Sequence, residues 1–399
     1  MKDEQAGGPL PVLWTGNYVK TWTANFMLYF SFMLLMPLLP LYLSETFAAD
    51  KHVIGLVLSG YTLTALLIRP CSGFLVDSFP RKMVLMVFYF LFFICFAGYL
   101  AATSLLLFTV IRTLHGAPFG ASTVANSTVA IDVSHPLRRA EGIGYYGLSN
   151  NLAMALAPTT AVWLYHLTAS YQTLFVLALL CAGIGLLIDA TLHLPARPPV
   201  ADTRKISLDR FFLFKAWRQG LAMICFAFAY GIVSTYLAIY GKEELSIFSG
   251  TGLFFMILAV GLMTSRIVGG RTLRKGKITQ NASIGIGISL LGYLLFAAVH
   301  HPVGYYGAAL IIGLGNGHMY PAFQTMFLNL APHSQRGTAN STLLTSWDIG
   351  VGIGVLLGGA VAEFCGYHAT FWTAWAVHII GAAVFFAIAK KHFQRNKIR

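Results

Sequence analysis

The sequence contains one long unit twice, and this internal repeat restricts the fold more than any other feature. A shift of 197 positions places Arg69 on Arg266 and Gly116 on Gly313, and the apolar stretches between such markers keep the same lengths. A long repeat has to be recognised first, because it sets the architecture of the whole chain. In an apolar chain, two repeats of the same orientation indicate a membrane protein with a ligand site between its halves.

Composition places both repeats in a lipid bilayer. Of the 399 residues, 57% are hydrophobic and only 10% are charged, whereas soluble domains carry about 25% charged residues. Apolar runs of roughly 20 residues recur, long enough to cross a hydrocarbon core, and they lack the alternation of outer-membrane strands. The sequence therefore predicts an all-α membrane protein of twelve transmembrane helices in two six-helix pseudo-repeats. The predicted helices cover residues 17–44, 53–76, 82–102, 104–130, 141–166, 171–194, 217–240, 250–272, 280–299, 303–330, 338–362 and 369–389.

The basic charge follows membrane topology. The formal net charge is +13. Basic residues cluster in alternate loops, whereas the opposite loops contain only Lys51 and Lys242. Because basic loops stay on the cytoplasmic side, this pattern predicts an even number of spans with both termini cytoplasmic. It also argues against nucleic acid as a partner.

One long polar stretch divides the chain. Residues 195–216 combine three prolines with several charges, so we predict an N-terminal six-helix half at 1–194, a cytoplasmic linker at 195–216 and a C-terminal half at 217–399. A short amphipathic helix near 208–215 is expected to lie at the membrane interface. The five cysteines have neither metal-ligand spacing nor a disulfide framework, so no metal and no cofactor is expected.

A charged motif follows the second predicted helix. Gly73 permits close helix approach, and Asp77 and Arg81 at i,i+4 spacing can pair. This loop resembles the signature loop of the major facilitator superfamily. By this resemblance, Asp77 and Arg81 form a charge relay with Asp132 that acts as a conformational latch in the outward-open state. The alternative is that Arg81 only keeps the loop cytoplasmic.

The resemblance extends over essentially the whole chain. Arg112, Gly116 and Gly120 resemble the second motif of the superfamily, and residues 315–322 resemble a bacterial subgroup of drug and arabinose-efflux-type permeases. This implies a transporter of a bacterial cytoplasmic (inner) membrane that moves a small organic solute by alternating access.

Differences between the two repeats mark candidate chemistry. Asp348 occupies the position of Asn151 and lies ten residues into its predicted helix, which is about 15 Å at 1.5 Å per residue. A carboxylate near the bilayer midplane costs about 2.5–3.5 kcal/mol and normally faces a cavity or a partner. Asp348 is the first candidate to carry a proton. The alternatives are an inert carboxylate that bonds neighbouring hydroxyls, or a part in the latch.

Arg112 corresponds to Ala309, so this buried cation belongs to the first half alone. Arginine stays protonated, and Arg112 is predicted to hold an anionic group or to tune a neighbour, unless it only bonds helix carbonyls. His115 and His318 are candidate proton relays because histidine titrates near neutral pH, although a packing role is commoner for each. With Asp348 they form the predicted charged centre.

Polar and aromatic residues at the same depth predict a mixed pocket. Amides within a membrane need partners, which helix-lined cavities supply. A neutral, zwitterionic or anionic solute is expected, because one deep carboxylate cannot balance a multiply charged cation. The candidate substrate-binding residues are Asn25, Tyr145, Tyr146, Asn150, Asn151, Tyr230, Tyr236, Asn316, Gln324 and Trp347.

These features predict a secondary active transporter and not an enzyme, since no catalytic cluster lies near an interface. Proton-coupled efflux by antiport is the favoured hypothesis. Proton-coupled symport that imports a small metabolite is the alternative, and a non-transporting membrane sensor is a minor one. The expected partners are a small-molecule substrate, protons and the lipid bilayer, and the protein is expected to be a monomer.

Overall fold

The computed structural model describes residues 11–49, 51–194, 208–247 and 250–398. Secondary structure in these ranges is helical, and no strand occurs in them. The helices of the first half are α1 (Gly16–Leu35), α2 (Leu39–Phe47), α3 (Lys51–Ser78), α4 (Arg81–Ala101), α5 (Leu105–Val133), α6 (Arg139–Thr168) and α7 (Tyr171–Ala190). Those of the second half are α8 (Trp217–Glu244), α9 (Gly250–Arg274), α10 (Ile278–Ala298), α11 (Pro302–Leu330), α12 (Arg336–Val384) and α13 (Lys390–Asn396).

Two local breaks and one continuous junction reconcile these thirteen helices with the twelve predicted ones. The junction is the π-helical segment Phe385–Ala389, through which α13 continues the last span of α12. Helices α1 and α2 are one bent span with an angle of 44°, because Pro37 in the break lacks the N–H that a continuous helix needs. Helix α12 contains two predicted helices, separated at Gly366 with φ 81°, a conformation that glycine adopts without steric cost. The all-α prediction of twelve helices is confirmed.

The helices differ in how apolar they are, according to whether they bury polar side chains inside the bundle. Among the described residues, six helices, or seven when the bent pair counts as one span, are long and apolar enough by themselves to cross a membrane. Helices α5 and α11 instead bury polar side chains such as Asn126 and Gln324. Such helices surround a polar interior, where each buried polar group needs a partner.

The two halves are packed together at one end. Helix α3 contacts α12, and α6 contacts α9. We call the end that carries Arg81, Arg274 and Arg336 the basic end. A single apolar cluster there joins Ile131 and Ile143 of the first half to the second half. Towards the opposite end, the apolar core of the second half forms a separate cluster. The protein is therefore closed between its halves at the basic end.

The segment before α8 differs from the prediction. Residues 208–216 form two single turns of 3-10 helix, Leu208–Arg210 and Phe214–Ala216, and not an amphipathic α-helix. Arg210 donates to the Ser78 hydroxyl at 3.2 Å, and Phe211 stacks on Phe74 at 5.1 Å. These contacts anchor the segment to α3, which opposes a regular helix. Residues 195–207 of the predicted linker lie outside the described residues.

Candidate functional site

A buried ion pair joins the two halves near the middle of the protein. Arg69 of α3 contacts the carboxylate of Asp348 of α12 through its Nε atom. The Arg69 side chain is 8% exposed and that of Asp348 is 24% exposed. Arg69 also donates to the Thr123 hydroxyl at 3.3 Å. The deep carboxylate thus has a cation from the opposite half as its partner, and it is still partly accessible.

A central cavity lies between the halves beside this pair. Tyr29 and Tyr320 line the cavity and interact electrostatically with both charges of the pair. The cavity is lined by Asn25, Tyr29, Thr123, Ser127, Tyr146, Gly147, Asn150, Arg266, Tyr320, Gln324 and Leu344. Four predicted substrate-binding residues are among them, Asn25, Tyr146, Asn150 and Gln324.

Arg266 of α9 brings a second cation to this cavity. It is 7% exposed, and its Nη1 donates to the Gly144 carbonyl at 3.2 Å. Its Nε has no hydrogen-bond partner, and no carboxylate of the described ranges lies within ion-pair distance. A Cβ atom at Gly147 would overlap the Arg266 guanidinium. The missing side chain at Gly147 therefore allows Arg266 to lie across α6.

Amide side chains form the polar part of the cavity. Asn25 donates to the Ser149 hydroxyl at 2.7 Å and also contacts the Asn150 side chain. Gln324 donates to the Asn340 side-chain oxygen at 2.9 Å, and Asn340 contacts Ser127 of the other half. These bonds hold amides of both halves in fixed orientations around the cavity.

Aromatic side chains lie next to the amides. The Trp347 ring lies 5.3 Å from the Tyr230 ring and 5.4 Å from the Tyr320 ring. Tyr320 and Tyr146 line the cavity directly. Trp347 packs behind Tyr320, and Tyr230 packs on Trp347. Offset and edge-on contacts of this kind give a firm apolar surface.

Six predicted substrate-binding residues are not part of the cavity lining: Tyr230 and Trp347, which pack behind Tyr320, and Tyr145, Asn151, Tyr236 and Asn316. Tyr145 accepts a bond from Trp22 through its backbone carbonyl, and Tyr236 donates to the Val355 carbonyl at 2.6 Å. Asn151 and Asn316 are buried with exposures of 7% and 5%.

The predicted charged centre does not form one cluster. Arg112 lies 4.2 Å over the Tyr61 ring and 3.4 Å from the Tyr99 hydroxyl. The Nδ1 atom of His115 lies 2.7 Å from the same hydroxyl. Arg112 therefore belongs to an aromatic shell inside the first half, and its partners differ from those of Asp348.

His318 also lies away from the cavity lining. Its Nδ1 atom is 2.9 Å from the Asn281 side-chain oxygen, and its ring packs against Gly269. His318 of α11 thus contacts α10 and α9. Its contacts with Asn281 and Gly269 do not include Asp348.

The predicted latch residues come together at the basic end. Asp77 accepts from the Gly337 and Thr338 backbone nitrogens at 2.8 and 2.7 Å, and from the Thr338 hydroxyl at 2.9 Å. A carboxylate of the first half thereby caps α12, where the first helical N–H groups lack internal partners. Gly73 lies against α12, since a Cβ atom there would come 2.9 Å from the Thr338 Cα.

Arginines of both halves share the other latch carboxylate. Arg81 contacts Asp132 directly, and Arg336 of the second half lies 2.8 Å from the same carboxylate. Arg81 also approaches Asp77 at 3.4 Å. The latch is thus a network across the two halves.

Sequence reasoning missed the two arginines that matter most at the cavity. Arg69 and Arg266 served only as markers of the repeat, although both lie inside predicted membrane helices. An arginine within a span faces a cavity or a partner as a rule, so this signal was present. Tyr29 and Tyr320 were also missed, because aromatic residues in membrane helices are common.

Comparison with known proteins gives a consistent assignment. The sequence profile of the Major Facilitator Superfamily matches residues 21–342 and 282–398. YhhS of Escherichia coli (strain K12), an uncharacterized MFS-type transporter, is 24% identical over 356 residues, which cover 86% of this chain and 85% of that protein. The staphylopine export protein of Staphylococcus aureus (strain Mu50) is 22% identical over 333 residues, covering 80% and 83%.

A solved structure shares the fold. The crystal structure of the human organic anion transporter MFSD10 (TETRAN) superposes with a TM-score of 0.79 at 18% identity, covering 92% of this chain and 98% of that one. The repeat, the helices and the interface between the halves agree with this relationship. The chain therefore belongs to the major facilitator superfamily and is a multi-pass membrane transporter.

Proposed function

We propose that the protein exports a small organic solute from a bacterium in exchange for protons. The observation that carries this proposal is the ion pair between Arg69 and Asp348. This pair connects the two halves beside the central cavity. Protonation of Asp348 would therefore act on the interface between the halves, which rearranges during alternating access. A relative that is an export protein supports the outward direction.

The orientation follows from charge. The basic end is assigned to the cytoplasm, together with both termini, because basic loops stay inside. The closed basic end then makes this an outward-facing state. One chain contains both halves and the whole cavity, so a monomer suffices for transport.

Proton coupling is assigned to Asp348. Its side chain is 24% exposed, so we expect protons to reach it. Protonation would remove the charge of Asp348 and break its ion pair with Arg69. This would weaken the attachment of α3 to α12. The groups that face Asp348 are the Arg69 guanidinium and the Tyr29 and Tyr320 phenols. A proton taken up outside would be released to the cytoplasm after the halves rock.

Proteoliposomes with an imposed pH gradient test this function. Labelled hippurate, phenylalanine and arabinose serve as anionic, zwitterionic and neutral probes, with protein-free liposomes as the blank for passive diffusion. Antiport predicts accumulation of at least one probe in vesicles with an acidic interior, abolished by an uncoupler. Accumulation only in vesicles with an alkaline interior would indicate symport, and absence of protein-dependent uptake would argue against transport of these classes.

The role of Asp348 has its own matched control. Asp348→Asn is expected to abolish gradient-driven accumulation while downhill uptake persists. Asp189→Asn removes another membrane carboxylate, which is 0% exposed inside the first half and lies away from the interface. This variant is expected to keep gradient-driven accumulation. Undiminished accumulation in Asp348→Asn would remove Asp348 as the proton carrier.

A further inference from the structure

We propose that Arg266 binds the negative group of the solute, so that the transported class is a small organic anion with an aromatic body. This inference rests on the proposed transport function and adds the substrate class to it. It starts from a cation that is buried in the cavity wall without a counter-charge.

The state of Arg266 is unusual for a buried arginine. Its side chain is 7% exposed, and its Nη1 atom donates to a backbone carbonyl, that of Gly144. A buried charge is normally paired, because desolvation disfavours a lone ion. Within the described part of the chain, Arg266 has no such pair. A ligand carboxylate would supply the missing charge through charge-assisted, two-pronged hydrogen bonds.

The neighbouring carboxylates already have partners. Glu141 of α6 is bound by Arg138 at 2.8 Å and approached by Arg274 at 3.7 Å. Asp348 is bound by Arg69. Because the Arg69–Asp348 pair is neutral as a unit, the cavity has one excess positive charge, on Arg266. A solute with one negative charge balances it.

The position of Arg266 is determined by packing. The guanidinium occupies the space that a side chain at Gly147 would take. This contact directs Arg266 along the surface of α6 at the cavity, with Gly144 one turn away as its hydrogen-bond partner. The absence of a side chain at Gly147 therefore leaves the space in which the Arg266 guanidinium forms the proposed anion site.

The rest of the lining suits an aromatic body. The rings of Tyr29, Tyr146 and Tyr320 border the cavity, and Trp347 backs Tyr320 at 5.4 Å. Aromatic surfaces of this kind bind flat apolar groups in offset or edge-on geometry. The Asn150 and Gln324 amides can satisfy a further polar group, such as an amide of the solute.

Binding of hippurate and hippuramide to the purified full-length protein tests the assignment. These probes differ only in a carboxylate against a carboxamide, and affinity can be followed by quenching of tryptophan fluorescence and by thermal stabilisation. We expect hippurate to bind at least about tenfold more tightly, which corresponds to about 1.4 kcal/mol. Equal affinities, or no binding of either probe at millimolar concentrations, would overturn the proposal.

Variants locate the preference at Arg266. Arg266→Gln should remove the advantage of hippurate and leave hippuramide unchanged, and Arg266→Lys should keep part of it. Gly147→Ala keeps the charge but displaces the guanidinium, so the preference should fall there too. Arg271→Gln is the control, since Arg271 lies exposed on the same helix. A preference that survives in both Arg266→Gln and Gly147→Ala would overturn the assignment.

Binding separates this inference from the transport mechanism. A carboxylate preference lost in Arg266→Gln, without gradient-driven flux, would contradict the proposed coupling and leave the anion site standing. Gradient-driven flux with equal affinity for hippurate and hippuramide would contradict the anion site alone.

Discussion

Arg69 and Arg266 occupy the same position in the two halves, yet their partners differ. Arg69 pairs with Asp348 of the other half, whereas Arg266 donates to the Gly144 carbonyl of α6 and has no ion pair among the described residues. The residue that corresponds to Asp348 in the first half is Asn151. An amide at one position and a carboxylate at the other thus leave Arg266 without the counter-charge that Arg69 has, within the described residues. The two repeats thus have similar arginine positions with different partners, and we propose coupling for Arg69 with Asp348 and solute binding for Arg266.

The basic end shows the same divergence. Asp77 corresponds to Arg274 under the shift of 197 positions. Asp77 caps α12 of the second half, while Arg274 approaches Glu141 of the first half at 3.7 Å. Equivalent positions with unlike charges therefore both make contacts between the halves, but with different partners.

The largest effect is expected when a carboxylate is placed at position 151, because this tests directly whether Arg266 and Arg69 occupy equivalent positions. Asn151 lies one helical turn from Gly147, over which Arg266 lies. In Asn151→Asp the new carboxylate should pair with Arg266, and hippurate affinity should fall about 100-fold, or about 2.8 kcal/mol. Binding measured by tryptophan quenching checks this. Asn151→Ser is the neutral control, and unchanged hippurate affinity in Asn151→Asp would mean that the two positions are not equivalent.

The free energy of unfolding should depend more on Arg69 than on Arg266. Arg69→Gln leaves the Asp348 carboxylate without its cation and should lower the free energy of unfolding by about 1–3 kcal/mol. Arg266→Gln removes a cation that has no carboxylate partner within the described ranges and should change stability by less than about 1 kcal/mol. Unfolding of the purified variants in detergent provides the comparison. The double variant Arg69→Gln/Asp348→Asn should recover part of the loss, and equal losses in both single variants would contradict this difference.

The smallest effect is expected at the basic end. In Asp77→Asn, an amide replaces a carboxylate that accepts three hydrogen bonds from Gly337 and Thr338. Turnover of hippurate exchange should slow about threefold to tenfold, about 1 kcal/mol in the barrier, with unchanged affinity. Arg274→Gln is the variant at the equivalent position. A large loss of affinity with normal turnover would exclude a latch role for Asp77.

Most of the fold could be predicted because it depends on local properties of the chain. Apolar run lengths and the repeat predicted twelve helices, and glycine and proline positions account for the breaks at Pro37 and Gly366. The turns at 208–216 could not be predicted, because Arg210 and Phe211 are held by contacts with α3. Tertiary contacts there outweigh the local preference for a helix.

The site could be predicted only in part. Asn25, Asn150 and Gln324 reach the cavity as expected, because amides within a membrane require polar surroundings. Depth alone suggested that Arg112 and Asp348 act together. The structure instead surrounds Arg112 with Tyr61 and Tyr99. Depth along a helix does not define which neighbour a side chain meets, since that depends on helix rotation and packing.

The sequence by itself determined the membrane class, the two repeated halves and the residues at which those halves differ. These properties follow from composition, run length and the shift of 197 positions, which need no knowledge of contacts. Only the tertiary structure decided that Asp348 meets Arg69 and that Arg266 meets Gly147 without a carboxylate. The physical reason is that a charge acts through its nearest partners, and helix packing between the halves selects them.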